Sequence, residues 1–451
     1  MTLHANPYAG KKTVVLGLGR SGMAAARLLR KSGADVVVCE SSESERMRER
    51  AALLQAEGIK VLLGNEAEKD STKYDLAILS PGIEERVPLV TNVAGKGIAL
   101  IGELELAYSL SNCPIIAITG TNGKTTTTEL TTRMLQGAGL RTAACGNIGT
   151  PMSEMVSFGE VWDVLVVEVS SFQLERIVTF CPKVALWLNL SPNHLDRYSS
   201  MEEYRNAKLR IFENQQESDW AVVASEAKLP PLKAKKLTFS TQEATADLSF
   251  QNGCQIVYRN KVLLDFSRTQ LRGPHNAANI MAAFGAGIAL GADLSAMASA
   301  ILDYTPPAHR CEFIAERAGV RWINDSKATN LNAMEQAICS VKGPLILIAG
   351  GKDKGFEFAP SAELVKERVS CAILIGEMRH RIARDWASVA TLQAETLEEA
   401  VNLALSKASP GSTVLFSPGT SSFDMFRDYV ERGEAFRRFV ERLPEENFKK
   451  S

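Results

Sequence analysis

An apolar run that empties into a glycine turn constrains this chain more than any other feature. Ile115-Ile116-Ala117-Ile118-Thr119 leads into Gly120-Thr121-Asn122-Gly123-Lys124-Thr125-Thr126, and helix-compatible residues follow. A strand that ends in such a turn and re-enters as a helix points backbone N–H groups inward around an anion. Lys124 then reaches the outer phosphates of a nucleotide, and the Thr125 hydroxyl meets a magnesium ion. The generic phosphate-loop pattern has a glycine five positions before Gly123, where this chain has Ile118, so the turn is a variant of the motif. The competing reading is a glycine turn with a surface lysine. The order strand, turn, Lys-Thr, helix favours the phosphate site.

At 451 residues the chain exceeds one ordinary core, and two or three domains are expected. An apolar content of 45% with 23% charged residues describes a soluble globular protein. The formal net charge of -1 provides no basic field, which argues against nucleic acid or an acidic membrane surface as partner. The apolar stretches are strand-sized, well short of a spanning helix, so no membrane insertion is expected. Residues Met1 to Gly10 carry no basic-then-apolar pattern, which predicts a cytoplasmic protein. The eight cysteines include no CxxC pair and read as buried thiols of a reducing compartment, indicating neither a disulfide framework nor a zinc site.

Short apolar runs alternate with helix-like segments through three units. In the first, Thr13 to Leu16, Asp35 to Cys39 and Leu76 to Leu79 read as strands, and Ser21 to Lys31 as a helix stopped by Gly33. The second starts at the phosphate loop, with further strands at Val164 to Val167, Val184 to Leu188 and Ala221 to Ala224. Residues Leu229 to Leu271 are hairpin-like, and an Ala- and Gly-rich helix spans His275 to Leu290. Gly285 and Gly287 weaken that helix unless close packing requires them. Thr305-Pro306-Pro307 reads as a stiff linker. Beyond it, strands are expected at Val320 to Ile323, Leu345 to Ile348, Ala372 to Ile375 and Thr413 to Phe416. The fold class is α/β in three domains with largely parallel sheets: a Rossmann-like domain (1–108), a central phosphate-loop ATPase-like domain (109–306) and a Rossmann-like C-terminal domain (307–451). In such sheets ligands sit beyond the carboxyl ends of the strands.

Several strand ends carry candidate chemistry. Gly17-Leu18-Gly19-Arg20-Ser21-Gly22 fits G-x-G-x-x-G, and Glu40 ends the next strand. Alone, that fingerprint suggests NAD and a dehydrogenase, or merely a tight turn. Glu168 ends a strand of the phosphate-loop unit, where a carboxylate can hold magnesium; otherwise it is a solvated strand-end residue. His194 lies in Asn189-Leu190-Ser191-Pro192-Asn193-His194-Leu195-Asp196-Arg197-Tyr198, and its polar company favours a site over a structural role. Lys208 is, on spacing alone, a helix lysine. Asn324-Asp325-Ser326-Lys327-Ala328-Thr329-Asn330 reads as an N-cap cluster. Capping does not explain Lys327, nor the second basic loop Gly350-Gly351-Lys352-Asp353-Lys354. Two basic strand-end loops indicate an anionic ligand shared with the phosphate loop. A phosphate-loop NTPase that moves a partner is another class, but like the dehydrogenase it leaves those loops unexplained.

Over essentially its whole length the chain resembles the Mur ligase family. Thr119-Gly-Thr-Asn-Gly-Lys-Thr-Thr126 is typical of that superfamily. Glu168-Val-Ser-Ser-Phe-Gln173, His194-Leu-Asp-Arg197, His275-Asn276 with Asn279, and Asn324-Asp-Ser-Lys-Ala-Thr-Asn330 are similar to its D-glutamate-adding branch. The resemblance implies an ATP-dependent amide-bond-forming ligase of peptidoglycan precursor synthesis that uses two Mg2+ ions. Its substrates would be UDP-N-acetylmuramoyl-L-alanine and D-glutamate, and the protein a monomer. It implies that Gly19, Arg20, Ser21, Glu40, Ser41, Ser80 and Gly82 contact the UDP end, with Asn147, Ser170, Gln173 and His194 on the sugar-peptide side. Gly120, Thr121, Asn122, Gly123, Lys124, Thr125, Thr126, Asn276, Asn279, Arg310 and Asp325 would hold the nucleotide, and Lys327, Thr329, Lys354, Ser422 and Phe423 would surround D-glutamate. Thr125, Glu168 and His194 would hold metal. Lys208 resembles the lysine that family members carbamylate, which would make it a further metal ligand. Lys124, Glu168, His194 and Lys208 form the implied catalytic set. Asn193 stands where some relatives carry an acidic residue.

Overall fold

A computed structural model describes residues 6–84, 86–194, 197–305, 308–341 and 343–445. The linker prolines Pro306 and Pro307, and Leu195-Asp196 of the histidine motif, lie outside the described residues. Three sheets form in chain order. The first comprises β1 (Lys12–Leu16), β2 (Asp35–Glu40), β3 (Lys60–Leu63), β4 (Leu76–Leu79) and β5 (Leu100–Gly102), in the order β3-β2-β1-β4-β5 and wholly parallel. The second comprises β6 (Ile115–Thr119), β7 (Thr142–Gly146), β8 (Val164–Glu168), β9 (Val184–Trp187), β10 (Trp220–Ala224), β11 (Lys235–Ser240), β12 (Leu248–Gln251), β13 (Gln255–Tyr258) and β14 (Lys261–Asp265). Its order is β14-β13-β12-β11-β10-β9-β6-β8-β7, antiparallel only in the terminal β12–β14 meander. The third comprises β15 (Glu312–Arg317), β16 (Val320–Asn324), β17 (Leu345–Gly350), β18 (Cys371–Ile375), β19 (Thr391–Gln393) and β20 (Thr413–Phe416), ordered β15-β16-β20-β17-β18-β19.

The apolar runs become strands because both faces of each sheet are covered. Val15, Val36, Val38 and Ile78 enter one core of the first sheet, while Val14, Leu16, Val37, Ala77 and Leu79 enter the other. In the central sheet Ile116, Ile118, Val164, Val166 and Leu186 face one core, and Ile115, Ala117, Leu165, Val167 and Trp187 the opposite one. Burial on both faces turns period-two alternation into continuous apolar runs. β15 differs from expectation: it precedes the strand read as the first of its domain and pairs antiparallel with it. It is an edge strand with charged ends and an exposed Phe313, so its pattern is not that of a buried strand. The helix Pro274–Leu290 runs through its two glycines because close packing needs them. A Cβ on Gly285 would lie 2.5 Å from Val222 Cγ1, and one on Gly287 2.2 Å from Met297 Sδ.

The helix Glu103–Ser109 serves two cores, with Leu106 in the first domain's and Leu104 and Ala107 in the central one. Its Glu105 is buried. Oε1 accepts from the Thr179 N–H at 2.8 Å and from the Thr179 hydroxyl, and Oε2 accepts from the N–H groups of Val178 (2.8 Å) and Phe180 (3.0 Å). Removing that carboxylate would take the acceptor from three backbone donors at once, one of which, the Phe180 N–H, is buried. Glu105→Ala is therefore expected to lower stability by about 3 kcal/mol. Urea unfolding should show an earlier first transition, and an unchanged midpoint would refute the account.

Candidate active site

The phosphate loop is shaped by what it contacts. Gly123 is left-handed (φ 82°), and a Cβ there would lie 2.4 Å from Asn279 Oδ1, so glycine is required twice over. Asn279 in turn accepts from the Thr127 hydroxyl at 3.2 Å and donates to Asn276 Oδ1 at 3.3 Å. The loop's backbone is clamped from the end of β9: Asn189 Oδ1 accepts from the N–H groups of Thr121 (3.1 Å) and Asn122 (2.9 Å). Lys124, the first residue of the helix Lys124–Gly137, folds back to donate to the carbonyls of Gly120 and Thr121, both at 2.9 Å. Thr125 is half-buried and Thr126 buried on that helix's first turn.

Register brings Glu168 alongside, since Ile118 pairs with Glu168 across β6 and β8. Glu168 is 3% exposed; Oε1 accepts from Asn147 Nδ2 at 2.8 Å, and Oε2 has no hydrogen-bond partner among the described residues. A buried carboxylate oxygen without a donor is costly, and a hard cation beside it would satisfy it. Among the described residues no three His, Cys, Asp or Glu side chains gather as a metal cage. That donor set, one carboxylate with a nearby threonine hydroxyl, fits Mg2+, which keeps water and phosphate oxygens as its other ligands.

Lys208, a helix lysine on spacing alone, is buried. The helix Met201–Leu209 turns Tyr204, Ala207 and Lys208 inward, leaving Lys208 1% exposed. Its Nζ donates to the Gly120 carbonyl at 2.9 Å, the same oxygen Lys124 uses, and lies 4.7 Å from the centre of the Tyr204 ring. Burial, then the charge of Lys124, pull the Lys208 amine well below the ordinary lysine range, and Glu168 opposes them. Burial also lowers Lys124, against the opposing charge of Glu168. His194 sits in a left-handed conformation (φ 56°) with its ring edge-on to Phe172 at 5.0 Å and 6.2 Å from Tyr204. Its N–H donates to the side chain of buried Asn193 at 3.0 Å. Ser170 and Gln173 are tied to one another in a capping box at the start of the helix Ser171–Leu174, which commits the Ser170 hydroxyl and the Gln173 side-chain oxygen locally.

The third sheet contributes the loops after β16, β17 and β20. Asp325 is buried, accepting from the Cys311 N–H (3.2 Å) and the Ser417 hydroxyl (2.7 Å); burial pushes its carboxyl up to about 7. Lys327 holds its Nζ 3.7 Å from the centre of the Tyr429 ring. Burial and then the charge of Arg310 bring it down to about 8, with Lys124 and Lys354 adding repulsion and Glu168 opposing. Arg310 also bears on Lys124. The cations Lys124, Arg310, Lys327 and Lys354 thus share one electrostatic neighbourhood that calls for an anion. Thr329 and Lys354 are half-buried and Ser422 is buried, whereas Phe423 is 65% exposed.

In the first domain, Glu40 is engaged with the glycine turn: Oε2 accepts from the Leu18 N–H and Oε1 from the Ser42 N–H, both at 2.9 Å. The Ser80 hydroxyl lies 3.5 Å from the Gly17 carbonyl across the point where strand order reverses between β1 and β4. Ser21 and Gly19 are half-buried there, and Arg20, Ser41 and Gly82 are exposed.

One buried cation escaped the sequence reading. Arg432, 1% exposed in the helix Tyr429–Glu441, donates to the Ser326 hydroxyl (3.1 Å), the Ser326 carbonyl (2.9 Å) and the Thr420 carbonyl (3.2 Å). Its Nη1 has no acceptor among the described residues, and burial brings the group down to about 10. Nothing local distinguishes this arginine from its exposed neighbours; only the fold of the Ser326 and Thr420 loops around it does.

The chain matches the models of the Mur ligase MurD-like N-terminal domain over residues 11–102, the Mur ligase middle domain over 118–287 and the Mur ligase glutamate ligase domain over 309–419. A UDP-N-acetylmuramoylalanine--D-glutamate ligase of Geobacter metallireducens is 43% identical, over 96% of this chain and 98% of that protein. The protein of the same name from Koribacter versatilis is 38% identical over 98% and 99%. Among solved structures, MurF ligase of Thermotoga maritima in complex with ADP superposes with a TM-score of 0.61 at 15% identity, covering 90% of this chain and 95% of that one. UDP-N-acetylmuramate-alanine ligase MurC of the same organism gives 0.59 at 18% identity, covering 96% and 99%. At such identities these two speak for the fold alone.

Proposed function

The chain belongs to the Mur ligase family, and from that premise we propose that it joins D-glutamate to UDP-N-acetylmuramoyl-L-alanine using ATP. The observation that carries this reading beyond family membership is the meeting of a phosphate loop, a buried carboxylate with an orphan oxygen and two basic loops of a separate sheet. In this reading residues 1–108 hold the UDP end, 109–306 hold ATP and 307–451 hold D-glutamate. Among the described residues no helix is long and apolar enough to cross a membrane. The nucleotide substrates suit a cytoplasmic protein, which this reading takes to act as a monomer.

A carboxylate is a poor electrophile, so the substrate's alanyl carboxylate takes the γ-phosphoryl group of ATP and becomes an acyl phosphate. The D-glutamate amine then attacks the carbonyl carbon, and the tetrahedral intermediate expels phosphate. Both steps bring anions together. Lys124 and the loop's backbone N–H groups offset charge on the transferring phosphoryl group. Thr125, Glu168 and His194 would hold two Mg2+ ions, with Lys208 as a further ligand if carbamylated. When bound, these supply positive charge and orient the phosphates. Lys327, Thr329, Lys354, Ser422 and Phe423 would orient the amino acid, and a docked third domain would keep water from the acyl phosphate.

Phosphate release measured with each substrate omitted in turn tests the proposal. Release should require ATP, the UDP-linked substrate and D-glutamate together, and L-glutamate should not replace the D form. Steady release from ATP alone, at a rate the UDP-sugar does not change, would overturn it.

A further inference from the structure

The phosphate loop and the third domain meet through a cluster of asparagines. Asn122 lies half-buried in the turn of the loop. Its backbone is fixed from the central sheet: Asn189 Oδ1 accepts from its N–H at 2.9 Å, and Asn189 Nδ2 donates to its carbonyl at 3.1 Å. Its side chain reaches the other way. Asn122 Nδ2 donates to Asn332 Oδ1 at 2.7 Å, and Asn122 Oδ1 accepts from Asn330 Nδ2 at 3.1 Å. Asn330 is also the N-cap of the helix Leu331–Ser340, where its Oδ1 accepts from the Ala333 N–H at 2.9 Å. The donor and acceptor of Asn122 are therefore each matched to the opposite role on the third domain. A flipped amide would set donor against donor, so the contact has one orientation.

We propose that Asn332 is a positioning residue that latches the third domain onto the phosphate loop through Asn122. Docking of that domain and the shape of the loop around ATP are then set together. The inference rests on the proposed function only in assigning D-glutamate to the third domain. The latch is reversible by construction. A neutral hydrogen bond contributes a net preference of about fivefold, enough to favour docking without holding the domains shut against substrate exchange. Asn330 adds the geometry: because it caps its helix with one atom and holds Asn122 with another, the start of that helix moves with the loop. Gly123 and Lys124 follow Asn122 directly, so freeing its side chain loosens the turn when no nucleotide is bound, while bound ATP, gripped by the loop's backbone donors, restores its shape at turnover.

Steady-state kinetics and hydrogen exchange on the full chain test this. Asn332→Ala should raise the KM for D-glutamate about fivefold, leave the KM for the UDP-linked substrate unchanged and alter kcat by less than about twofold. In an Asn122→Ala background the same substitution should add nothing, since its partner is already absent. Without any substrate, backbone amides of residues 121–124 and 330–333 should exchange faster together in Asn332→Ala than in the parent. An unchanged KM for D-glutamate, or equal effects of Asn332→Ala in both backgrounds, would overturn the latch. So would exchange unaltered in both segments. A parent enzyme indifferent to D-glutamate would instead sink the proposed function, and the exchange measurement would still decide the latch.

Discussion

Lys124→Ala is expected to lower turnover by about a hundredfold or more, with an unfolding midpoint close to the parent's. The charge sits on the first residue of the helix Lys124–Gly137, where the loop's backbone donors and the helix dipole already favour an anion. Its Nζ rests on the carbonyls of Gly120 and Thr121, both at 2.9 Å, contacts that a γ-phosphate would displace. Those contacts are half-buried and internal to the loop, so losing them costs little stability. The loss falls on charge that develops as the phosphoryl group transfers, where one preorganised cation contributes about 3–4 kcal/mol. Such a loss appears in kcat and kcat/KM alike. Turnover within a few-fold of the parent would remove the phosphate-loop reading at its root.

Lys208→Ala is expected to abolish most activity, and short carboxylates such as acetate should restore part of it. Lys208 and Lys124 both donate to the Gly120 carbonyl at 2.9 Å. Two ammonium charges ~4 Å apart repel by about 4 kcal/mol at an effective dielectric near 20. Burial and that repulsion both favour the neutral amine of Lys208. A neutral amine adds carbon dioxide and releases a proton, which converts the side chain to an anionic carbamate. Beside Mg2+ an ammonium is repelled and a carbamate attracted, so the sign of the charge selects the species. Acetate in the vacated space of the alanine variant supplies the same carboxylate. Lys208→Arg keeps a permanent cation there and should not be rescued. Full activity of the alanine variant, with no response to acetate, would leave Lys208 as a packing residue under Tyr204.

The chain's own pattern specified the α/β class and the loops that matter, because strands buried on both faces read as continuous apolar runs and glycine turns interrupt them at fixed places. Val14 to Leu16, Ile115 to Ile118 and Leu345 to Ile348 were legible for that reason, as was the phosphate loop. The edge strand β15 was not, since exposure removes the apolar signal. Neither was the burial of Lys208, of Glu105 or of Arg432. Each is a charged residue on a helix, and its neighbours in space come from segments far away in the chain: the Gly120 carbonyl, the Val178–Phe180 backbone, the Ser326 and Thr420 loops. Residue type and local spacing decide which backbone forms, because those preferences act over a few residues. Whether a lysine is a cation in water or a neutral amine against a phosphate loop depends on desolvation and on charges brought close by long-range packing. The tertiary structure alone set those for Lys208 and Lys327, and it alone brought Asn122 to Asn330 and Asn332.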